Sequence, residues 1–193
     1  MTIQPTVRVL VIGLSLLAVA CGGGTLPAQE EGSPDADPAQ IAGGATVLGD
    51  LIEDWARQKE VLMGIADAMP EDLLDYKSTP EQRSYAEQIM HVATVNVGLL
   101  RLVGGDAEAP SLSDNTTKEE LLRALADSYD HGIALLREQT DASINETVEA
   151  AFLGPSTRAR VFWFLLGHSM DIYGQMAVYL RLNDIVPPAS RGV

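Results

Sequence analysis

The sequence predicts an all-α fold, a four-helix bundle, on three observations. Four long segments repeat apolar residues at the helical period. Two of them open on a capping box, a Ser or Thr with Glu three residues on: Ser84 with Glu87 and Thr117 with Glu120. Regular alternation of apolar and polar residues, the mark of half-buried strands, is absent. With 46% hydrophobic residues in a chain of 193, there is enough apolar surface for one core, and helices of this kind bury it best against one another.

The N-terminal stretch does not belong to that core. Residues 1–20 read as a signal peptide: Arg8 is the only charge, Val9 to Ala20 is apolar, and small residues precede Cys21. Leu17-Ala18-Val19-Ala20-Cys21 resembles the bacterial lipoprotein signal, which implies cleavage before Cys21 and lipid on its thiol. Because Gly22 rather than Asp follows that cysteine, the resemblance favours the outer membrane in a diderm, with the domain facing the periplasm, and the outer cell surface in a monoderm. Cys21 is the only cysteine, so no intramolecular disulfide forms and stability rests on packing. Residues 22–44, GGGTLPAQEEGSPDADPAQIAGG, are too poor in large apolar side chains to offset their ordering entropy. With Cys21 they read as a flexible tether, spanning on the order of 25 Å as a coil. The domain is expected over 45–193.

Its first helix runs from Val47 to Met69, with Leu48, Leu51, Ile52, Trp55, Leu62 and Ile65 on one side and charges elsewhere. Pro70 closes it, and 70–80 is a connection. Thr79 with Gln82 suggests a short lead-in turn before the Ser84 box. The second helix, Tyr85 to Val103, is apolar nearly all round, and Gly104-Gly105 ends it. His91 looks inward there, sharing a face with Gln88, Val95 and Leu102. The loop 106–115 is polar.

The third helix follows Thr117, with Leu121, Leu125, Tyr129, Ile133 and Leu136 as its inner stripe. His131 lies at the margin of that stripe and is expected to be a partly solvated bystander. Residues 141–155 form a longer connection with a short extended piece at 148–153. The fourth helix spans Ser156 to Asn183, apolar on two sides, as suits a helix inside a bundle. His168 stands at its middle, on a face shared with Val161, Phe164, Leu165, Ile172, Gln175 and Tyr179. Trp55, Trp163 and the methionines read as packing, and Tyr173 and Tyr179 as core aromatics with wet hydroxyls.

Composition narrows the function. Thirteen basic against 27 acidic residues argue against nucleic acid, since phosphate binding needs a basic patch. The sequence holds no glycine-rich phosphate loop, no paired-cysteine metal spacing and no GxSxG elbow. The sequon matches at Asn115 and Asn145 are chance. What remains is the histidines. Read blandly, His91 and His168 are a buried pair, with Gln175 or Asn96 satisfying a ring nitrogen.

Several patterns, in order, resemble the DinB-like superfamily of DinB/YfiT type. They are Ala68-Met69-Pro70-Glu71, then Thr79-Pro80, Ser84 through Met90-His91, and His168 through Tyr173-Gly174-Gln175 to Pro187-Pro188. The resemblance covers the domain from about residue 45. It implies a four-helix bundle that carries a divalent metal, usually zinc or nickel, on three histidines, two of them spaced His-x-x-x-His on one helical face. Carried over, the ligands fall on His91, His168 and Ile172, and isoleucine binds no metal. Asp171, three residues after His168, is the candidate replacement, since two histidines and a carboxylate suit zinc or iron(II).

Two expectations follow. In the first, the protein is a DinB-like lipoprotein with a degenerate metal site, binding a small molecule or acting as an interaction module, anchored to the membrane through Cys21. In the second, it is a metal-dependent transferase or hydrolase of the thiol-dependent S-transferase type, using His91, His168 and Asp171. Dimers are common in the family, which leaves a homodimer open.

Overall fold

The computed structural model describes residues 46–104, 117–150 and 153–192. The signal peptide, Cys21, the tether and the loop 106–115 lie outside these residues. The described chain forms α1 (Val47–Ala68), α2 (Tyr85–Leu100), α3 (Lys118–Arg137) and α4 (Arg158–Leu182), with a hairpin of β1 (Thr147–Ala150) and β2 (Gly154–Thr157) before α4.

Each helix begins where a side chain takes an otherwise unpaired first-turn amide. Thr46 accepts from the Gly49 amide at 3.0 Å, and Thr157 from the Arg160 amide at 3.2 Å. Both expected capping boxes are reciprocal: Glu87 and Ser84 cap each other's amides, as do Glu120 and Thr117. Thr79 and Gln82 form a backbone turn, the Gln82 amide donating to the Thr79 carbonyl at 3.1 Å. The α2 path tightens into a 3₁₀ turn over Arg101–Val103 and stops at Gly104, whose φ of 104° is open to glycine.

Two boundaries differ from expectation near α4. Ser156 is a strand residue, paired with Val148 across the antiparallel hairpin, and the helix starts two residues later, at Arg158. The extended piece is thus one strand of a hairpin whose other strand, Gly154–Thr157, the sequence masks. Its Gly-Pro-Ser-Thr has no apolar alternation, and its proline sits where a short exposed strand tolerates one.

Helix α1 packs on α3 and α4, and α2 packs on the same two. α1 and α2 therefore take one diagonal and α3 and α4 the other, which the long connections between the members of each pair allow. This arrangement puts His91 of α2 beside His168 of α4. Trp55 of α1 centres the core, fully buried, with Phe162 edge-on at 5.4 Å and Tyr129 tilted at 5.4 Å. The Tyr129 hydroxyl donates to Ser169 Oγ at 2.7 Å, and burial pushes its pKa up to about 12, so it stays a neutral donor. Asn96 donates to Ser128 at 3.2 Å, joining α2 to α3 within the same interior.

Two side-chain expectations are corrected here. His131 is buried, at 9% exposure, because α3 turns it under its neighbours rather than toward solvent. Trp163 and Met170, expected as packing, are about half exposed at 45% and 49%. They lie on the outer line of α4, which its low polarity hides in the sequence.

Candidate metal centre

His91 is carried on the second turn of α2, which the Ser84 box fixes, and His168 on the middle of α4. Their rings stand edge to face at 80°, centroids 5.0 Å apart. The two histidines singled out in the sequence therefore meet across one helix interface. Phe164, one turn before His168, lies parallel to its ring at 6.4 Å.

The amides near the pair serve other partners. Gln88 donates its Nε2 to Gln175 Oε1 at 2.9 Å, and Gln175 in turn donates to Asp171 Oδ2 at 3.0 Å. This relay stitches α2 to α4 and then runs along α4. Neither Gln175 nor Asn96 satisfies an imidazole, in contrast to the bland expectation. His168 Nε2 and Gln88 Oε1 are buried with no hydrogen-bond partner among the described residues. An unserved buried polar atom is costly, of order 1–3 kcal/mol, and marks a place where a ligand finds a ready partner.

Ile172 sits four residues after His168, only 1% exposed, as part of the hydrophobic core. Asp171 is exposed and held by Gln175. A catalytic zinc needs three protein donors and an open position. Among the described residues no three His, Cys, Asp or Glu side chains group closely enough to hold an ion. As arranged, the donor set is a pair of imidazoles and does not fit a three-ligand metal.

Electrostatics keep both rings neutral. Burial holds the His91 pKa below the usual histidine range, the Arg83 charge and His168 adding to the effect. At His168 burial again lowers the pKa, Asp171 opposes it, and Arg83 lowers it further. Each neutral imidazole then offers one N–H donor and one acceptor nitrogen. The charge of Arg83, which sequence reasoning passed over, bears on both rings from the connection before α2. Its carbonyl accepts from the Tyr179 hydroxyl at 2.8 Å, which ties that connection to α4. Arg83 and His91 line one open cleft of about 480 Å³. Arg83, Gln175 and Tyr179 line a second. No pattern in the sequence flags Arg83, because an arginine before an N-cap is ordinary at a helix entrance.

Depressed histidine pKa values couple the pair to stability. The unfolded chain binds protons at these residues near pH 6.5 and the folded chain only below it. Stability is therefore fully present above pH 6.5 and falls as pH drops through that value toward the folded pKa. A melting-temperature series from pH 7.5 to 5 is expected to show this loss. In a His168→Phe variant the slope over that window becomes shallower; an unchanged slope would place the pH dependence elsewhere.

A family model described as the DinB superfamily matches residues 54–176. Among solved structures, a DinB-like protein from Bacillus cereus ATCC 10987 aligns with a TM-score of 0.59 at 16% identity, over 72% of this chain and 93% of its own. A DinB-like protein from Bacillus subtilis aligns with a TM-score of 0.60, also at 16% identity, over 75% and 99%. At that identity the two structures speak to the fold. No curated protein matches the chain.

Proposed function

The chain belongs to the DinB superfamily, and we propose that within it this protein is an envelope-anchored binding module rather than a metalloenzyme, taking a small molecule at the His91–His168 interface. One observation carries the reading: the place one helical turn after His168, where a third histidine would complete the donor set, is filled by the buried side chain of Ile172. Asp171, the nearest alternative donor, is engaged by Gln175. Recruiting it would break that bond and the relay to Gln88.

The cleft beside the pair, about 480 Å³, falls within the roughly 300–1,000 Å³ usual for small-molecule sites. The neutral imidazole of His91 would give such a ligand a hydrogen bond, and Met90 in the same lining an apolar contact. Anchoring is read from Leu17 to Cys21, with lipid on the cysteine thiol and the domain held off the outer membrane by residues 22–44. No described helix is long and apolar enough to cross a membrane.

Elemental analysis of the purified chain tests the proposal. The expected result is far less than one zinc, nickel or iron per chain, and a melting temperature that EDTA leaves unchanged. About one equivalent of any of these metals, lost in an Asp171→Ala variant, would establish the metal-dependent transferase or hydrolase in its place.

A further inference from the structure

Among the described residues the large apolar side chains that stay exposed avoid α2 and α3 altogether. Trp163, Met170, Val178 and Leu182 lie on α4 and Val186 just beyond it, each between 45% and 56% exposed. Val47 and Val61 lie on α1, which packs beside α4. Steps of three and four residues carry Trp163, Gly167, Met170, Gly174, Val178 and Leu182 along the outer side of α4, away from α1 and α2. Gly167 and Gly174 have open space around them, so bare backbone, not polar side chain, separates the apolar groups. The exposed line of α3 is charged by contrast, with Glu119, Arg123, Asp127, Asp130 and Arg137. An apolar surface gathered on one side marks contact with something other than water.

Charge tells what that contact is. In a chain with 27 acidic and 13 basic residues, α4 is the one described helix with more bases than acids, Arg158, Arg160 and Arg181 against Asp171. Arg158 is paired with Glu146. Arg160 and Arg181 bracket the apolar run, and among the described residues they bond to neutral oxygens, Arg160 to Leu153 and Ser156 and Arg181 to Ser190. Asp171 is engaged by Gln175, Asp184 lies past the helix end, and the acidic α1 forms the polar margin of the face. A second copy answers the two arginines poorly. A two-fold axis pairing the α4 faces antiparallel about the middle of the run sets Arg160 of one copy against Arg181 of the other, and a parallel pairing sets each against itself. Like charges meet either way.

An anionic lipid surface answers both arginines. Its headgroups pair the guanidiniums, while the apolar side chains enter the margin of the acyl region with tryptophan at the water boundary. On the anchoring reading that surface is always near, because residues 22–44 span on the order of 25 Å as a coil and lead to α1 at Val47, itself one of the exposed apolar residues. Resting on the envelope-anchoring part of the reading above, we propose that the outer face of α4, from Arg160 to Leu182, docks on an anionic phospholipid surface. The lipid on Cys21 then holds the domain near the membrane, and α4 fixes which way the domain faces.

The test uses the full chain made in a host that processes lipoproteins, with the state of Cys21 read from its intact mass. It is placed on vesicles of phosphatidylcholine with about one-third anionic phosphatidylglycerol, the acyl chains brominated to quench tryptophan at the bilayer. Trp163 emission is expected to shift to the blue and be quenched, while Trp55, fully buried in the core, is not, so that a Trp163→Phe chain loses the signal. Met170→Glu with Val178→Glu should abolish quenching of Trp163 and leave the chain on the vesicles. Arg181→Gln should lower the ratio of docked to undocked domain about fivefold, and Ala134→Glu, exposed on α3, should change nothing. A lipidated chain that floats with the vesicles while Trp163 stays unquenched overturns the docking face and leaves the anchor standing. A chain whose mass shows no lipid overturns the anchor, and quenching of Trp163 in that chain still supports the face. Met170→Cys chains that crosslink to one another on the vesicles with Trp163 unquenched would give the face to a second copy and overturn the proposal.

Discussion

Replacing Ile172 with histidine is expected to create a three-nitrogen metal site. The substituted imidazole would stand one helical turn from His168 on the same face of α4, opposite His91, completing three nitrogen donors with one position open. In the absence of metal the change destabilises the bundle, by about 1–3 kcal/mol, because an imidazole replaces a side chain only 1% exposed in the core. Zinc reverses the sign. A ligand that binds only the folded state at a hundred times its Kd adds about 2.7 kcal/mol. In a domain of this size that raises the melting temperature by on the order of 5–10 °C. Metal analysis should find about one zinc per chain in the variant. A folded Ile172→His protein that takes up no zinc would mean that the three positions do not converge.

The second large effect is at Gly132. Helix α3 passes so close to the central tryptophan that a Cβ added at Gly132 would fall 2.3 Å from Trp55 Cζ3. The indole cannot yield freely, since Phe162 and Tyr129 hold it on other sides at 5.4 Å. Glycine is there to allow contact rather than an unusual backbone angle. Gly132→Ala should therefore cost about 1–3 kcal/mol through overpacking, more than offsetting alanine's better helix propensity. Gly64 and Gly98, also helical, have open space where a Cβ would go, so alanine at either should be neutral or stabilising. Chemical denaturation of the three variants separates these cases. A Gly132→Ala protein as stable as the parent would show that α3 and α1 do not approach as described.

The elements that could be read from sequence are those written in local chemistry. Ser84 with Glu87 and Thr117 with Glu120 mark two helix starts because a cap is a contact between residues three apart. The periodic stripes placed Trp55, Tyr129, Phe162 and Ile172 in the core for the same reason. The His91–His168 meeting was legible only through family resemblance, since periodicity says that each faces inward and not that they face each other. What escaped was decided by tertiary geometry. The strand Gly154–Thr157 exists because a partner lies beside it. The commitment of Asp171 to Gln175 depends on which way one amide turns, with Gln88 pulling from the neighbouring helix. Arg83 became part of the site because Tyr179 holds its backbone against α4.

These particulars bear on how a bundle changes its chemistry. With the fold unchanged, one side chain at position 172 decides between two donors and three. In this chain position 172 holds a core isoleucine, and His91 and His168 face each other as a pair of imidazoles.

The most direct test is a zinc titration of the parent chain at pH 7.5, following the ring nitrogen resonances of His91 and His168. The account predicts no saturable one-to-one shift of the two imidazoles. A stoichiometric change in both rings at micromolar zinc, with a matching heat of binding, would contradict it and restore a metal to the site.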